Sequence, residues 1–159
     1  MGLFGKKKKG PVVAKAFENG KVVAMKDVDD PTFAQEILGP GVAIEPTEGT
    51  LVAPVDGTVS LVAESCHAVS ITASNGAELL MHLGIDTVEL KGEGFTAHVK
   101  AGDKVSVGDK LVTFDLAAIK KKGYKMTTPI ILCNKDEFSG VETIASGDVK
   151  VGDDLLKVE

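Results

Sequence analysis

The chain is predicted to fold as an all-β protein, an antiparallel β-sandwich or barrel with a duplicated hybrid motif and one or two short helices. Three observations carry this. Short apolar segments rich in Val, Ile and Thr recur between turn signals. Gly is abundant, at 18 of 159 residues, and aromatics are few, which favours many short strands over long helices. Only two stretches carry start and stop signals for a helix.

Taken in order, residues 1–10 read as a flexible basic tail and 11–159 as one domain, long enough to bury a core. Met1-Gly2-Leu3-Phe4 ahead of Lys6, Lys7, Lys8 and Lys9 pairs apolar anchors with positive charge, a pattern that predicts weak contact with an anionic membrane. A solvated leader is the competing reading. The tail has no apolar stretch for a secretory signal. Its sixth residue is Lys, so the myristoylation pattern fails.

Strands are expected at Val12–Phe17 and Lys21–Met25, flanking the turn Glu18-Asn19-Gly20. Others follow at Gly41–Ile44, Gly49–Ala53, Gly57–Ala63, His67–Thr72, Glu78–Leu83, Phe95–Val99, Lys110–Phe114, Thr128–Cys133 and Val141–Ala145. The first helix signal spans Asp30 to Pro40, with Asp at the N-cap, Pro31 at N1, and Gly39 then Pro40 as the stop. The second spans Asp115 to Gly123, with Lys120, Lys121 and Lys122 at the negative end of its dipole. Gly-Asp turns recur in Gly102-Asp103, Gly108-Asp109, Gly147-Asp148 and Gly152-Asp153, which suggests a duplicated β-motif.

Composition excludes several function classes. The overall charge is −5 despite the lysine-rich tail, so the body is more acidic still, which argues against nucleic acid. There is no Arg, so any guanidinium clamp on a phosphate must come from a partner. No apolar run approaches the roughly 20 residues of a membrane span. Cys66 and Cys133 form no disulfide framework, which fits a reducing compartment and a cytoplasmic location.

The residues with chemistry are His67 and His82. Asn75-Gly76 between them is a signal for a two-residue hairpin. With that loop Ser74 pairs with Ala77, Val69 faces His82 and His67 faces Gly84. The two histidines then share one face as diagonal neighbours, above Val69, Ile71 and Leu80. A three-residue loop would put them on opposite faces. By the same alternation Cys66 points away from His67, so no thiol–imidazole dyad forms and Cys66 reads as core.

Paired imidazoles suit metal binding, proton transfer or phosphoryl transfer. Phosphoryl transfer needs a neutral imidazole, a neighbouring donor to the phosphoryl oxygens and an apolar rim. His82 fits the nucleophile and His67 the donor, with the Ser65 hydroxyl placed to orient the His67 ring. Gly84 lets a carbonyl or a partner surface approach His82, and Gly92 and Gly94 either do the same or make plain turns. A zinc site wants three or four protein ligands, so two histidines hold zinc only with a partner's carboxylate. His98 lies outside this group and reads as a surface residue.

The motifs Asp30-Pro31-Thr32-Phe33 through Gly39, Ala53-Pro54-Val55-Asp56-Gly57, His67-Ala68 and His82-Leu83-Gly84-Ile85-Asp86-Thr87-Val88 occur in this order. They are followed by Gly92-Glu93-Gly94-Phe95 and Gly108-Asp109. With these motifs the chain resembles the glucose-type IIA family of the bacterial phosphoenolpyruvate:sugar phosphotransferase system, over about residues 12–158. The resemblance implies a β-sandwich with a shallow active face. It implies a phosphotransferase in which His82 accepts phosphoryl from the carrier protein HPr and passes it to a cysteine of a membrane permease's IIB domain. His67 would support the phosphoryl group, and Ser65 stands where the family usually has a Thr that bonds that histidine. Asp30 and Asp86 would meet basic groups on HPr, while Phe33, Ile37, Leu38 and Leu80 would form the apolar docking rim. Beyond the phosphohistidine no cofactor is implied. In some lineages the family also regulates permeases and metabolic enzymes. Cys66 and Ala63 differ from many relatives.

Other readings use parts of the same pattern. A biotin or lipoate carrier would need a Lys at a hairpin tip, and Asn75-Gly76 has none. A zinc peptidase would need more ligands than three histidines supply. A regulator that docks through the same depression without any relay is the alternative of substance.

Overall fold

The computed structural model describes residues 10–159; apart from Gly10, the predicted tail and its membrane contact lie outside them. Among the described residues the strands are β1 (Val12–Lys15), β2 (Gly20–Ala24), β3 (Gly41–Pro46), β4 (Thr50–Val52), β5 (Gly57–Val62), β6 (Ala68–Ala73) and β7 (Glu78–His82). They continue as β8 (Phe95–Ala97), β9 (Lys104–Val105), β10 (Lys110–Phe114), β11 (Thr128–Leu132), β12 (Val141–Thr143), β13 (Asp148–Val149) and β14 (Asp154–Val158). The two α-helices among the described residues are α1 (Pro31–Ala34) and α2 (Leu116–Lys121). No helix among the described residues is long and apolar enough to cross a membrane.

All pairings are antiparallel. The large sheet runs β13-β2-β3-β11-β7-β6-β5-β9, and two three-stranded sheets run β4-β10-β8 and β1-β14-β12. The antiparallel sandwich expected from the short, β-branched segments is therefore the fold.

Alternation along the central strands decides what lies on each face of the large sheet. Val42 and Ile44 of β3, Leu79 and Met81 of β7, Val69 and Ile71 of β6, and Ile130 and Leu132 of β11 enter the main core. There they join Leu51, Val112, Phe114 and Leu156 from the smaller sheets. The opposite face carries Val23, Ala43, Leu80 and Ile131, and a second small core forms there under Met25, Val28, Phe33 and Ile85. The segment from Met25 through α1 is thus a lid on the outer face of the sheet. His82 belongs to that outer face because it lies two residues beyond Leu80 on β7.

The first helix signal yields less helix than its length suggests. Asp30 does cap it, accepting from the Thr32 N–H at 2.9 Å, but α1 stops at Ala34, and Glu36 adopts the left-handed conformation with φ 55°. Asp115 caps α2 through the Ala118 N–H at 3.1 Å, and the helix ends in Lys120 and Lys121. Strands β9, β13 and β14 were not expected. The Gly-Asp repeats are real structural repeats. In three of them the Asp carboxylate accepts from the backbone N–H three residues earlier, at 2.9 Å in each case: Asp103 from Lys100, Asp109 from Ser106 and Asp153 from Lys150.

Glu18, in the turn between β1 and β2, is fully buried. The Thr128 hydroxyl lies 2.8 Å from the Met126 carbonyl and 3.1 Å from Oε2 of Glu18. The hydroxyl donates to Glu18, which favours the charged carboxylate, but burial outweighs it and pushes the Glu18 pKa well above the ordinary carboxylate range.

Candidate functional site

The hairpin between the two histidines differs from the expected one. Ala68 pairs with His82, Val69 with Met81 and Thr72 with Glu78, and the Ala73 N–H bonds the Ala77 carbonyl at 2.8 Å. The loop is therefore Ser74-Asn75-Gly76, three residues long. The Asn75 side chain accounts for this: Oδ1 accepts from the Ala77 N–H at 3.0 Å and Nδ2 reaches the Gly10 carbonyl at 2.7 Å. Extrapolated along a regular strand, that register would separate the histidines. Val69 and Ile71 correspondingly face the main core and are not the floor of the site. Leu80 is.

The two rings nevertheless meet, with centroids 5.0 Å apart and planes at 78°. His67 precedes β6 and lies in a bend. Cys66 before it is left-handed, with φ 60°, and the Cys66 N–H closes a turn onto the Ala63 carbonyl at 2.8 Å. This turn breaks the alternation and swings the His67 ring back over the outer face. The argument from opposite strand faces consequently does not apply to Cys66, although its half-buried side chain does pack on the main core.

His82 is held by a hydrogen bond and by ring packing. Its Nδ1 lies 2.7 Å from the Gly84 carbonyl. A carbonyl only accepts, so Nδ1 carries the proton and Nε2 carries the free lone pair. The Phe33 ring packs at a centroid distance of 5.0 Å. The carbonyl reaches the ring because Gly84 turns back with φ +83°, where a Cβ would stand 2.7 Å from the Thr87 methyl and 2.8 Å from the Lys125 carbonyl. Ile85 N–H bonds that same Lys125 carbonyl at 2.9 Å.

His67 is held less completely. Its carbonyl accepts from the Leu83 N–H at 2.7 Å, but its Nδ1 is buried without a hydrogen-bond partner. The expected Ser65 bond to this ring is not formed. Ser65 lies in the turn before Cys66 and is not two positions along a strand, so the shared-face argument fails for it too. The backbone of Ser65 instead packs beside Gly92. Gly92 and Gly94 are both left-handed turn residues, and Gly94 sits against Ile119.

Both rings are biased toward the neutral form. Burial lowers the His67 pKa, and the neighbouring His82 lowers it further. Burial also lowers the His82 pKa, partly countered by the Gly84 carbonyl and then by the charges of Asp30 and Asp86. These two aspartates flank the ring, Asp30 half-buried at the α1 cap and Asp86 exposed. Asp86 opens the 3-10 turn Thr87–Leu90. Ile37 and Leu38 stand out, 65% and 44% exposed, while Phe33 is buried against His82. Val88 is 51% exposed beside Asp86 and was not singled out from the sequence. Thr87, Lys125 and Met126 were missed as well. The last two come from a segment some forty residues away, with no local signal for the contact. His98 is exposed, 2.9 Å from the Thr113 hydroxyl and away from the site. Among the described residues no group of three or more His, Cys, Asp or Glu side chains is placed to hold a metal ion.

A neutral imidazole with one nitrogen anchored, a second imidazole 5 Å away and an apolar, acid-flanked rim can take a transferable group on Nε2. Comparisons with known proteins give the family. Residues 12–138 match the family described as the phosphoenolpyruvate-dependent sugar phosphotransferase system, EIIA 1. The chain is 50% identical over 138 residues to a PTS system glucose-specific EIIA component of Halalkalibacterium halodurans, covering 87% of this chain and 80% of that protein. It is 47% identical over 139 residues to a PTS system beta-glucoside-specific EIIBCA component of Dickeya chrysanthemi, covering 87% of this chain and 22% of that longer protein. Among solved structures it is similar to glucose permease IIA from Mycoplasma capricolum, with a TM-score of 0.86 and 34% identity over 93% of this chain and 96% of that one.

Proposed function

The chain belongs to the EIIA 1 family of the phosphoenolpyruvate-dependent sugar phosphotransferase system and is a phosphoryl carrier of that system, and we propose that His82 is the residue that carries the phosphoryl group. The observation behind this reading is the Gly84 carbonyl on Nδ1, which leaves Nε2 as the free nucleophile of a neutral ring.

In the uptake step Nε2 of His82 attacks the phosphorus of a phosphohistidine on HPr. The new N–P bond forms as the donor's N–P bond breaks, and the donor imidazole leaves with the electron pair. Developing positive charge on His82 is met by the Gly84 carbonyl and by Asp30 and Asp86. The Nδ1 of His67 is buried, so the other nitrogen is the one a phosphoryl oxygen can reach, and with its proton there it would donate to that oxygen. The onward step delivers the phosphoryl group to a cysteine of a permease IIB domain, in the cytoplasm. The fused EIIBCA relative supports that partnership, since one chain there joins the components. Ile37, Leu38 and Val88 would dock both partners around the depression, and the acidic flank would meet their basic groups. The relay needs no cofactor. A zinc ion at His67 and His82 would require a partner's carboxylate.

Incubation with phosphoenolpyruvate, enzyme I and HPr tests the reading. Mass spectrometry should find one acid-labile phosphate, on the peptide containing His82. An intact fold without phosphate would favour the regulator that only docks.

A further inference from the structure

The turn after His82 is built from three successive peptide groups, each tied by a different partner. The N–H of Leu83 bonds the His67 carbonyl at 2.7 Å. The Leu83 carbonyl accepts from the Thr87 hydroxyl. The next peptide spans Gly84 and Ile85. Its carbonyl takes the His82 Nδ1–H at 2.7 Å and its N–H bonds the Lys125 carbonyl at 2.9 Å. The first and third ties bracket the two histidines, and the middle one is a single hydroxyl.

We infer that Thr87 is a positioning residue for phosphoryl uptake: its hydroxyl holds the Leu83–Gly84 peptide so that the Gly84 carbonyl fixes the tautomer and orientation of His82. The inference rests on His82 being the nucleophile. Thr87 is fully buried, so its hydroxyl makes no use of solvent. Gly84 has no side chain to limit its backbone, and its conformation at φ +83° is held by its surroundings. Thr87 supplies those surroundings twice. The hydroxyl grips the carbonyl before Gly84, and the methyl fills the space a Gly84 Cβ would occupy. Release of the middle peptide leaves the Ile85 N–H bond to the Lys125 carbonyl as the remaining backbone tie on the Gly84 carbonyl, which loosens its hold on Nδ1. The imidazole proton is then free to move to Nε2, which makes the attacking nitrogen a donor and removes its lone pair from the reaction. It also frees the Leu83 peptide to shift the backbone of His67, so both histidines lose alignment through one side chain.

Two near-isosteric variants separate the hydroxyl from the methyl. Thr87→Val keeps the methyl and loses the hydroxyl; Thr87→Ser does the reverse. The readouts are imidazole ¹⁵N NMR of the unphosphorylated full chain and the single-turnover rate of phosphate uptake from phospho-HPr as a function of pH. Wild type and Thr87→Ser should show His82 with its proton on Nδ1 and transfer at similar rates. Thr87→Val should show mixed tautomers and a His82 pKa lower still, because the carbonyl that raises it is lost. Its uptake should fall by up to about a hundredfold, the scale of an ångström-size misplacement. A folded Thr87→Val with the wild-type tautomer and rate overturns the inference. If Thr87→Val does not fold, Thr87→Ser decides: a preserved tautomer supports the hydroxyl's role, and a lost one assigns the effect to the methyl and overturns it. If wild type itself takes no phosphate, the relay reading fails, whereas the tautomer comparison still judges whether Thr87 positions His82.

Discussion

His82 and His67 reach the same depression from two differently built regions. His82 ends a central strand that pairs with β6 on one side and β11 on the other, and its ring is anchored by Gly84 and packed by Phe33. His67 sits in a turn outside the strand ladder, after a left-handed Cys66, and one of its ring nitrogens has no partner. A nucleophile benefits from a fixed lone pair and a fixed distance. A group that only donates to a phosphoryl oxygen tolerates a looser anchor. On the proposed reading the asymmetry suits His82 to bond making and His67 to support.

The strongest way to break this assignment is to remove the nucleophile. His82→Gln should abolish phosphate uptake from phospho-HPr, while binding of HPr, followed by NMR titration, persists. Uptake by that variant on His67 would mean that the two regions are interchangeable. Next in size, Gly84→Ala places a methyl within 2.7 to 2.9 Å of Thr87, the Lys125 carbonyl and Met126 at a left-handed position. It should cost about 1–3 kcal/mol in denaturant unfolding and slow uptake by tenfold or more. His67→Gln sharpens the comparison from the other side. It should still be phosphorylated on His82 but pass the group on about 10²-fold more slowly, a loss typical of one transition-state donor. Loss of acceptance in that variant would contradict a merely supporting role.

A smaller effect comes from pH. Both imidazoles have pKa values held below the ordinary 6.5, so both are neutral in the folded state through that range. Each contributes stability that is present above pH 6.5 and lost as pH falls from there through its folded value. Uptake should accordingly stay level as pH drops past 6.5 and decline only below it. A half-maximal rate at or above 6.5 would count against burial of a neutral ring. Glu18 works in the opposite direction. Its folded pKa is raised, so its contribution is complete below the unfolded carboxylate pKa and is lost as pH rises through the folded value. Glu18→Gln should flatten this loss of stability with rising pH in thermal unfolding without touching uptake.

The same contrast explains what the sequence could say. The strand carrying His82 is read correctly from alternating apolar residues and turn punctuation, because period-two burial is a local signal. Leu80 is placed beneath the site for the same reason. The region of His67 resists that logic. Its geometry depends on a left-handed residue that is not glycine and on a hairpin one residue longer than Asn75-Gly76 alone suggests. A register derived from the shorter loop puts the two rings together for a reason the structure does not share. The Gly-Asp turns were recognised as repeats, yet the strands β9 and β14 that follow two of them were not, since two-residue and C-terminal edge strands carry little pattern. Lys125 and Met126 shape Gly84 from a distant segment, which no local spacing can reveal.

The most direct test of the account is the position of the phosphate on the imidazole. Because Gly84 occupies Nδ1 of His82, the phosphorylated full chain should show, by ³¹P and ¹⁵N NMR, a single phosphoryl group on Nε2 of His82, with the Nδ1 proton retained. Phosphate on Nδ1 of His82, or on either nitrogen of His67, would contradict it.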